Sequence, residues 1–497
     1  MRGAAWLFFA SSLWAANEEC TPCHAAIVTS YNQTGMGRSI IERPDPFSAS
    51  YYHRLSNRHY TAANGALRRH QLDAQRREIN VVEKSIHFAI GSGNHAVTYV
   101  HRTPQGRLLE LPLSWYRSLN AWAMSPGYDS TAHLDMRREI SDACLFCHAA
   151  YPTSPAARAA PKSIDCARCH GDTTAHLKKP ARGTILNPAH LAPGRRLEVC
   201  LQCHLETVSQ GIADSFRQPR RGTFSFRPGE PLENYKLYFD RADSPDTRLE
   251  VNHSGYRLLQ SACYQQSPGK LTCTTCHDPH TAKARNACAQ CHPAPRHASP
   301  SGPDCTSCHM PKRPTNDAPH VAMTNHRIRA RPTAPQPDHA PYRGPVVPFY
   351  TKADPETLAM ANIQVPGAEA AAIYRRRLAR DPTDTAARAA LANTLLRLGR
   401  REEAMREARR ILTLDENHTS ALNTLGVAHA MHGEHAQALA IFLRAKDSNP
   451  DHSLTWLNLG VTYQAMNQPN EAIQSFREAI RLQPDFSEAR QRLAALP

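Results

Sequence analysis

The chain has 497 residues, too many for one compact domain, with 38 prolines, 15 cysteines, 27 histidines and a formal charge of +15. So much cysteine and histidine together points to metal or cofactor ligation and away from a disulfide framework. Beyond the N-terminus no stretch offers the roughly 20 uninterrupted apolar residues that span a bilayer.

In chain order, residues 1–16 read as a secretory signal: Arg2 is the positive end, Ala4 to Trp14 the apolar stretch, and Ala15-Ala16 the small residues for cleavage. The mature chain is therefore expected outside the cytoplasm, in the periplasm or at the cell surface. The first motif, Cys20-Thr-Pro-Cys23-His24, follows at once. About 120 residues then pass without another. Within them Ile86, Phe88, Ile90, Val97, Tyr99, Leu109, Leu111 and Leu113 alternate in strand fashion, which predicts a small antiparallel β insert over 79–116. Turns are expected at Gly91 to Asn94 and Thr103 to Gly106.

Six more motifs crowd the next stretch. They are Cys144-Leu-Phe-Cys147-His148, Cys166-Ala-Arg-Cys169-His170, Cys200-Leu-Gln-Cys203-His204, Cys273-Thr-Thr-Cys276-His277, Cys288-Ala-Gln-Cys291-His292 and Cys305-Thr-Ser-Cys308-His309. Cys-x-x-Cys also serves zinc sites and thiol exchange. Seven copies, each followed by histidine and together using 14 of 15 cysteines, fit neither. The spacing suits two thiols adding to the vinyl groups of one haem while the adjacent imidazole reaches its iron. Seven covalent c-type haems are thus expected, one per motif, within a unit spanning 17–326. Their propionates account for the basic excess: seven oxidised haems would bring about −7. No nucleic-acid partner is expected. Cys263 is left over, either as a packed free thiol or as one beside a haem edge or a partner.

The second axial position of each iron needs a further ligand. His280, held beside His277 by Pro279, leads the candidates, followed by His176, His297, His320, His326, His95 behind Gly91-Ser92-Gly93-Asn94, and His59. His53, His87, His101, His133, His190, His253 and Met36 are in reserve.

A proline-rich linker is expected over 327–350. From 351 to 497 the chain carries a 34-residue period. Leu391, Leu425 and Leu459 align, as do Gly426 with Gly460, Ala404, Ala438 with Ala472, and Phe442 with Phe476. This is tetratricopeptide-repeat (TPR) logic, with repeats over 385–418, 419–452 and 453–486, a cap over 487–497, and a degenerate earlier helix over Ala368 to Arg380. The fold expected overall is mainly α with much irregular loop: a multihaem domain with a small β insert, followed by a TPR α-solenoid.

The run Leu271-Thr-Cys273-Thr-Thr-Cys276-His277-Asp-Pro-His280, the run Cys305-Thr-Ser-Cys308-His309-Met310-Pro311-Lys312 and the Gly-Ser-Gly-Asn-His loop resemble exported bacterial multihaem cytochromes c that end in TPRs. The resemblance covers nearly the whole chain and implies an electron carrier, distantly similar to the multihaem nitrite and hydroxylamine enzymes. Their catalysis is not implied, because Cys-x-x-Cys-Lys is absent. The leading function is electron relay, with the TPR groove docking a redox partner through which the protein can associate with a membrane. An oxidoreductase acting on a small nitrogen or sulfur compound at an open haem, and a subunit of an extracellular cytochrome assembly, stay open.

Overall fold

The computed structural model describes residues 17–206, 215–243, 247–281, 283–293, 304–331, 342, 344–362 and 367–496. The expected signal segment, His297 and the middle of the proline-rich stretch lie outside them.

Strands begin earlier and end later than the 79–116 insert. They are β1 (Ile40–Glu42), β2 (Ala49–His53), β3 (Arg58–Ala63), β4 (Ala66–Leu72), β5 (Glu78–Ser85), β6 (Phe88–Ile90), β7 (Ala96–Arg102), β8 (Leu108–Tyr116) and β9 (Ala121–Met124). One antiparallel sheet has the order β1-β6-β7-β8-β9 and the other β2-β3-β4-β5. The expectation of a mainly helical unit with a small insert is corrected accordingly. The reason lies in β3 and β4, whose inward positions include Arg58 and Arg69, each 1% exposed. Buried charge there masks the alternation by which a half-buried strand is recognised.

Tyr60, Leu67 and Val82 of the four-stranded sheet meet Leu111, Leu113 and Met124 of the other in one core. The opposite face of the five-stranded sheet, through Ile40, Phe88, Val100 and Leu108, covers Leu145 and Ala149. β8 is therefore covered on both sides, which explains its nearly unbroken apolar sequence. The sheet forms a wall that fixes the helix Asp142–His148, bearer of the second motif. Beyond it, short helices and loops pack around Phe146, Leu201, Phe226, Tyr235, Tyr238 and Tyr256.

The C-terminal region consists of helix pairs: Thr385–Arg397 with Arg401–Leu412, Thr419–Ala430 with His435–Ser448, and Ser453–Ala465 with Pro469–Leu482. Ala368–Arg380 precedes them and Ser487–Ala494 follows. Each pair turns through a left-handed residue, at Gly399 (φ 73°), Gly433 (φ 81°) and Asn467 (φ 57°), where a side chain is strained unless it is Gly or Asn. A Cβ at Gly426 would lie 2.5 Å from the Phe442 ring, and one at Gly460 equally close to Phe476. The small residue of one helix thus makes room for the ring of its partner, repeat after repeat.

The linker does not simply hold two independent halves apart. Val346–Phe349, inside the expected linker, forms a strand antiparallel to Lys236–Arg241, with Tyr238 opposite Phe349. The repeats also dock edge-on against the sheet unit. Arg69 Nη2 donates to the Arg481 and Leu482 carbonyls at 3.0 and 3.1 Å, capping the end of helix Pro469–Leu482. Arg58 pairs with Asp485 at 2.9 Å, Lys84 with Asp451 at 2.5 Å, and Arg137 donates to Ser453 Oγ at 3.0 Å. Beneath them Asp135, fully buried, pairs with Arg69 at 2.7 Å and Arg58 at 3.7 Å and accepts from Tyr60 Oη at 3.1 Å. Burial pushes the Asp135 carboxyl up, but Arg69 and Arg58 outweigh it and hold it below its usual value.

Two histidines in this interface give it a pH dependence. Burial, then the nearby arginines, holds His452 down to about 4, facing Arg137 and Arg107. Burial also holds His133 down to about 4, among Asp135, Arg58, His53 and Asp485. Between about 4 and 6.5 the unfolded chain binds these protons and the folded chain does not. Their contribution is full above about 6.5 and is lost as pH falls toward 4. Glu110, pushed up to about 7 by burial despite Arg138, acts in the opposite sense, its penalty growing as pH rises from about 4.5 to 7. The readout is therefore a difference. The urea midpoint should fall between pH 7 and pH 5 less steeply in a His133→Gln, His452→Gln variant than in the parent. Equal slopes would assign the effect to other groups.

Candidate functional site

Each Cys-x-x-Cys-His motif occupies about one helical turn, which sets its two thiols three residues apart on one face. Local caps hold several of these turns. Thr272 and Thr275 form a reciprocal capping box on Cys273–Cys276, and Asp304 Oδ1 accepts from Thr306 N at 3.0 Å at the head of Cys305–His309. No disulfide joins any of the fifteen cysteines.

The motifs are brought together although up to 285 residues separate the first His24 from the last His309. Cys20 contacts Cys166, Cys147 contacts Cys203, Cys200 contacts Cys273, and Cys288 contacts Cys305. Arg168 of the third motif reaches Cys203 Sγ at 3.9 Å, and Cys276 takes a hydrogen bond from the backbone of Ala287, next to Cys288. The seven motifs therefore form one connected set, with the fourth touching the second, third and fifth. Residues of motifs two to seven line a cavity of about 2440 Å³. A pocket for one small ligand measures about 300–1000 Å³, so this one has room for several. Its walls include Ile90, Val100, Ile140, Val199, Leu258 and Leu271. The leftover Cys263 lines it too, close to Cys288.

Among the described residues, three histidines from outside the motifs face motif histidines. His176 faces His24 with ring centres 6.4 Å apart and planes 18° from parallel. His280 faces His170 at 6.0 Å and 19°, and His326 faces His277 at 6.2 Å and 33°. Backbone carbonyls orient several of these rings. Nδ1 of His170 donates to Leu186 O at 2.9 Å, His309 to Arg329 O at 2.7 Å, and His326 to Thr324 O at 3.0 Å. A carbonyl can only accept, so each Nδ1 carries the proton and Nε2 keeps its lone pair for another partner. Burial holds His148, His170, His204, His277 and His326 below the usual imidazole value, which favours the neutral form a metal requires.

The other sequence candidates lie elsewhere. His95 lines the cavity wall beside Gly91, Ser92 and Asn94, as does Met36. His59 is taken up in the four-stranded sheet, stacked between Tyr52 at 4.5 Å and His70 at 5.0 Å. His320, at φ 62°, presents its ring edge-on to Tyr116 at 5.2 Å. Among the reserves, His253 is fully buried beside Glu250 at 3.4 Å and Tyr256, and His87 leans on His101.

Sequence reasoning passed over two residues. Asn17 Oδ1 accepts from Cys166 N at 2.9 Å, pinning the third motif beside the first. Arg168 lies 4.3 Å from the Phe146 ring and 4.4 Å from the Tyr151 ring and donates to Phe146 O at 2.5 Å, locking the third motif to the second. Its place between Cys166 and Cys169 was the only available signal. Among the described residues no three His, Cys, Asp or Glu side chains converge as a ready-made metal cage.

The helix pairs, their left-handed turns and the glycine–phenylalanine packing define a TPR-like α-solenoid as the C-terminal part. Residues 359–489 match the family model of the cilia and flagella-associated protein 70 middle TPR-like domain. Solved structures of similar proteins include MamA, 23% identical, covering 29% of this chain and 82% of that one at a TM-score of 0.25. YrrB, described as a TPR protein with an unusual peptide-binding site, is 27% identical over 25% of this chain and 63% of its own, at 0.23. A thermophilic TPR protein from Thermus thermophilus is 25% identical over 25% of this chain and 69% of its own, at 0.24. No curated protein matches the chain.

Proposed function

We propose that the chain is an exported electron-transfer protein carrying seven covalent c-type haems, with its repeats docking a redox partner. The observation that carries the reading is the gathering of the seven motifs into one connected set, six of which line a cavity of about 2440 Å³. A structural zinc needs four converging side chains, whereas a haem iron takes only its axial ligands from the protein. The paired motifs therefore suit the second chemistry. Bound haem supplies a one-electron iron couple. The chain's own residues attach it through cysteine, orient the imidazoles through carbonyls, and wall it from water with β6–β8 and the core around Phe146. Close packing of motifs that neighbour one another in space is what a relay requires. Edge-on docking through inter-repeat turns and helix ends supports a partner-binding role for the faces of the repeat helices.

The test is stoichiometric. Protein produced with a haem-attachment system should carry seven haem masses that survive acid denaturation, and Cys288→Ala with Cys291→Ala should remove one. Five or fewer in the parent protein would show that some of the motifs are not used for haem.

A further inference from the structure

We infer that the second axial ligands are supplied in an interleaved order: the iron of motif one takes His176, that of motif three His280, and that of motif five His326. This rests on the haem reading above. Two imidazoles that grip one metal from opposite sides, each nitrogen about 2 Å from it, hold their ring centres about 6 Å apart. The three facing pairs stand at 6.4, 6.0 and 6.2 Å. In each pair one ring is a motif histidine, and the other comes from chain that follows a different motif. His176 lies six residues after His170 yet faces His24; His280 lies three residues after His277 yet faces His170; His326 lies 17 residues after His309 yet faces His277.

Local structure explains why no loop turns back on its own motif. After His170 the chain reverses through Gly171 at φ 73°, and helix Thr174–Lys178 carries His176 outward, where Thr184 Oγ1 anchors its Nδ1 at 2.8 Å. After His277 the short Asp278-Pro279 link is too tight to bring His280 beneath the same ring. His326 follows strand Ala322–Thr324, paired with Lys312–Pro314, and Thr324 O fixes its ring. The thiol contact between Cys20 and Cys166 links motifs one and three independently of the imidazoles.

The arrangement has a consequence for assembly. Coordination at motif one is complete only after the loop behind motif three has folded, and likewise for three with five and for five with seven. Each such loop touches two cofactors, which ties neighbouring irons into one unit.

The test is an epistasis experiment on the full chain, read by electron paramagnetic resonance. His176→Ala should convert one iron per chain to high spin. Cys20→Ala with Cys23→Ala should lower the haem count by one. Adding His176→Ala to that variant should produce no high-spin iron, because the iron it served is gone. A full high-spin signal in the triple variant would assign His176 to another iron and overturn the interleaving, as would a silent single variant. If the cysteine variant does not fold, a His170→Ala, His280→Ala pair replaces it: one altered iron in each single and still one in the double is expected, and two would overturn the order. A parent protein with no covalent haem would instead remove the haem reading itself.

Discussion

Replacing Asp135 by Ala should lower the unfolding free energy by about 3–5 kcal/mol, because it strands two buried guanidinium groups without their counter-charge. Arg58 and Arg69 are each 1% exposed, and both reach Asp135. The same two side chains hold Asp485 and the last carbonyls of helix Pro469–Leu482. Loss of Asp135 therefore acts twice, on the four-stranded sheet and on the seat of the repeats. Limited proteolysis should cut the turn around Asp451 faster in the variant, and the urea midpoint should fall. A triple change of Asp135, Arg58 and Arg69 to apolar residues of similar volume should cost less than Asp135→Ala alone, since no charge is left buried. A larger loss in the triple variant would show that the arginines act mainly through Asp485 and the helix end. Cutting the chain at Pro348 should also expose Arg58 and Arg69 and remove part of the Val346–Phe349 strand. The two halves are not separable in the way a linker suggests.

Phe476→Ala should cost about 3–5 kcal/mol, the range for deleting a buried phenyl ring. Phe476 is fully buried against Gly460 and shares its core with Leu457, Ala472 and Ala479, so deleting the ring opens a cavity there. Phe442→Ala removes the equivalent ring one repeat earlier, so its local cost should be similar. The consequences should differ, because only the helix of Phe476 ends at Leu482 in contact with Arg69. Phe476→Ala should therefore loosen the sheet unit as well, raising hydrogen exchange in β3 to β5, whereas Phe442→Ala should raise it in the repeats first. Equal protection of β3 to β5 in both variants would mean that docking does not depend on the last repeat. A Gly460→Val change should approach the same instability from the other side, by driving a side chain into the Phe476 ring.

The sequence by itself determined whatever depends on neighbours along the chain. The seven Cys-x-x-Cys-His motifs are local, since one helical turn sets the spacing of their thiols. The repeats are nearly as local, because each helix pair packs against the next, so a 34-residue period and the alternation of Gly426 and Gly460 with Phe442 and Phe476 reveal the solenoid. What only the tertiary structure decided is how distant segments meet. Arg58 and Arg69 resemble surface residues until Asp135 and the end of helix Pro469–Leu482 come to meet them, so the sequence pattern there points to no more than a small β insert. His176, His280 and His326 were visible as spare imidazoles, but their partners were not: each faces a histidine from a motif other than the one it follows. His59, equally plausible in sequence, is consumed by stacking on Tyr52 and His70. An imidazole has no sequence mark that separates a ligand from a stacked ring. Only the direction in which the backbone aims it, and what lies about 6 Å away, makes that choice.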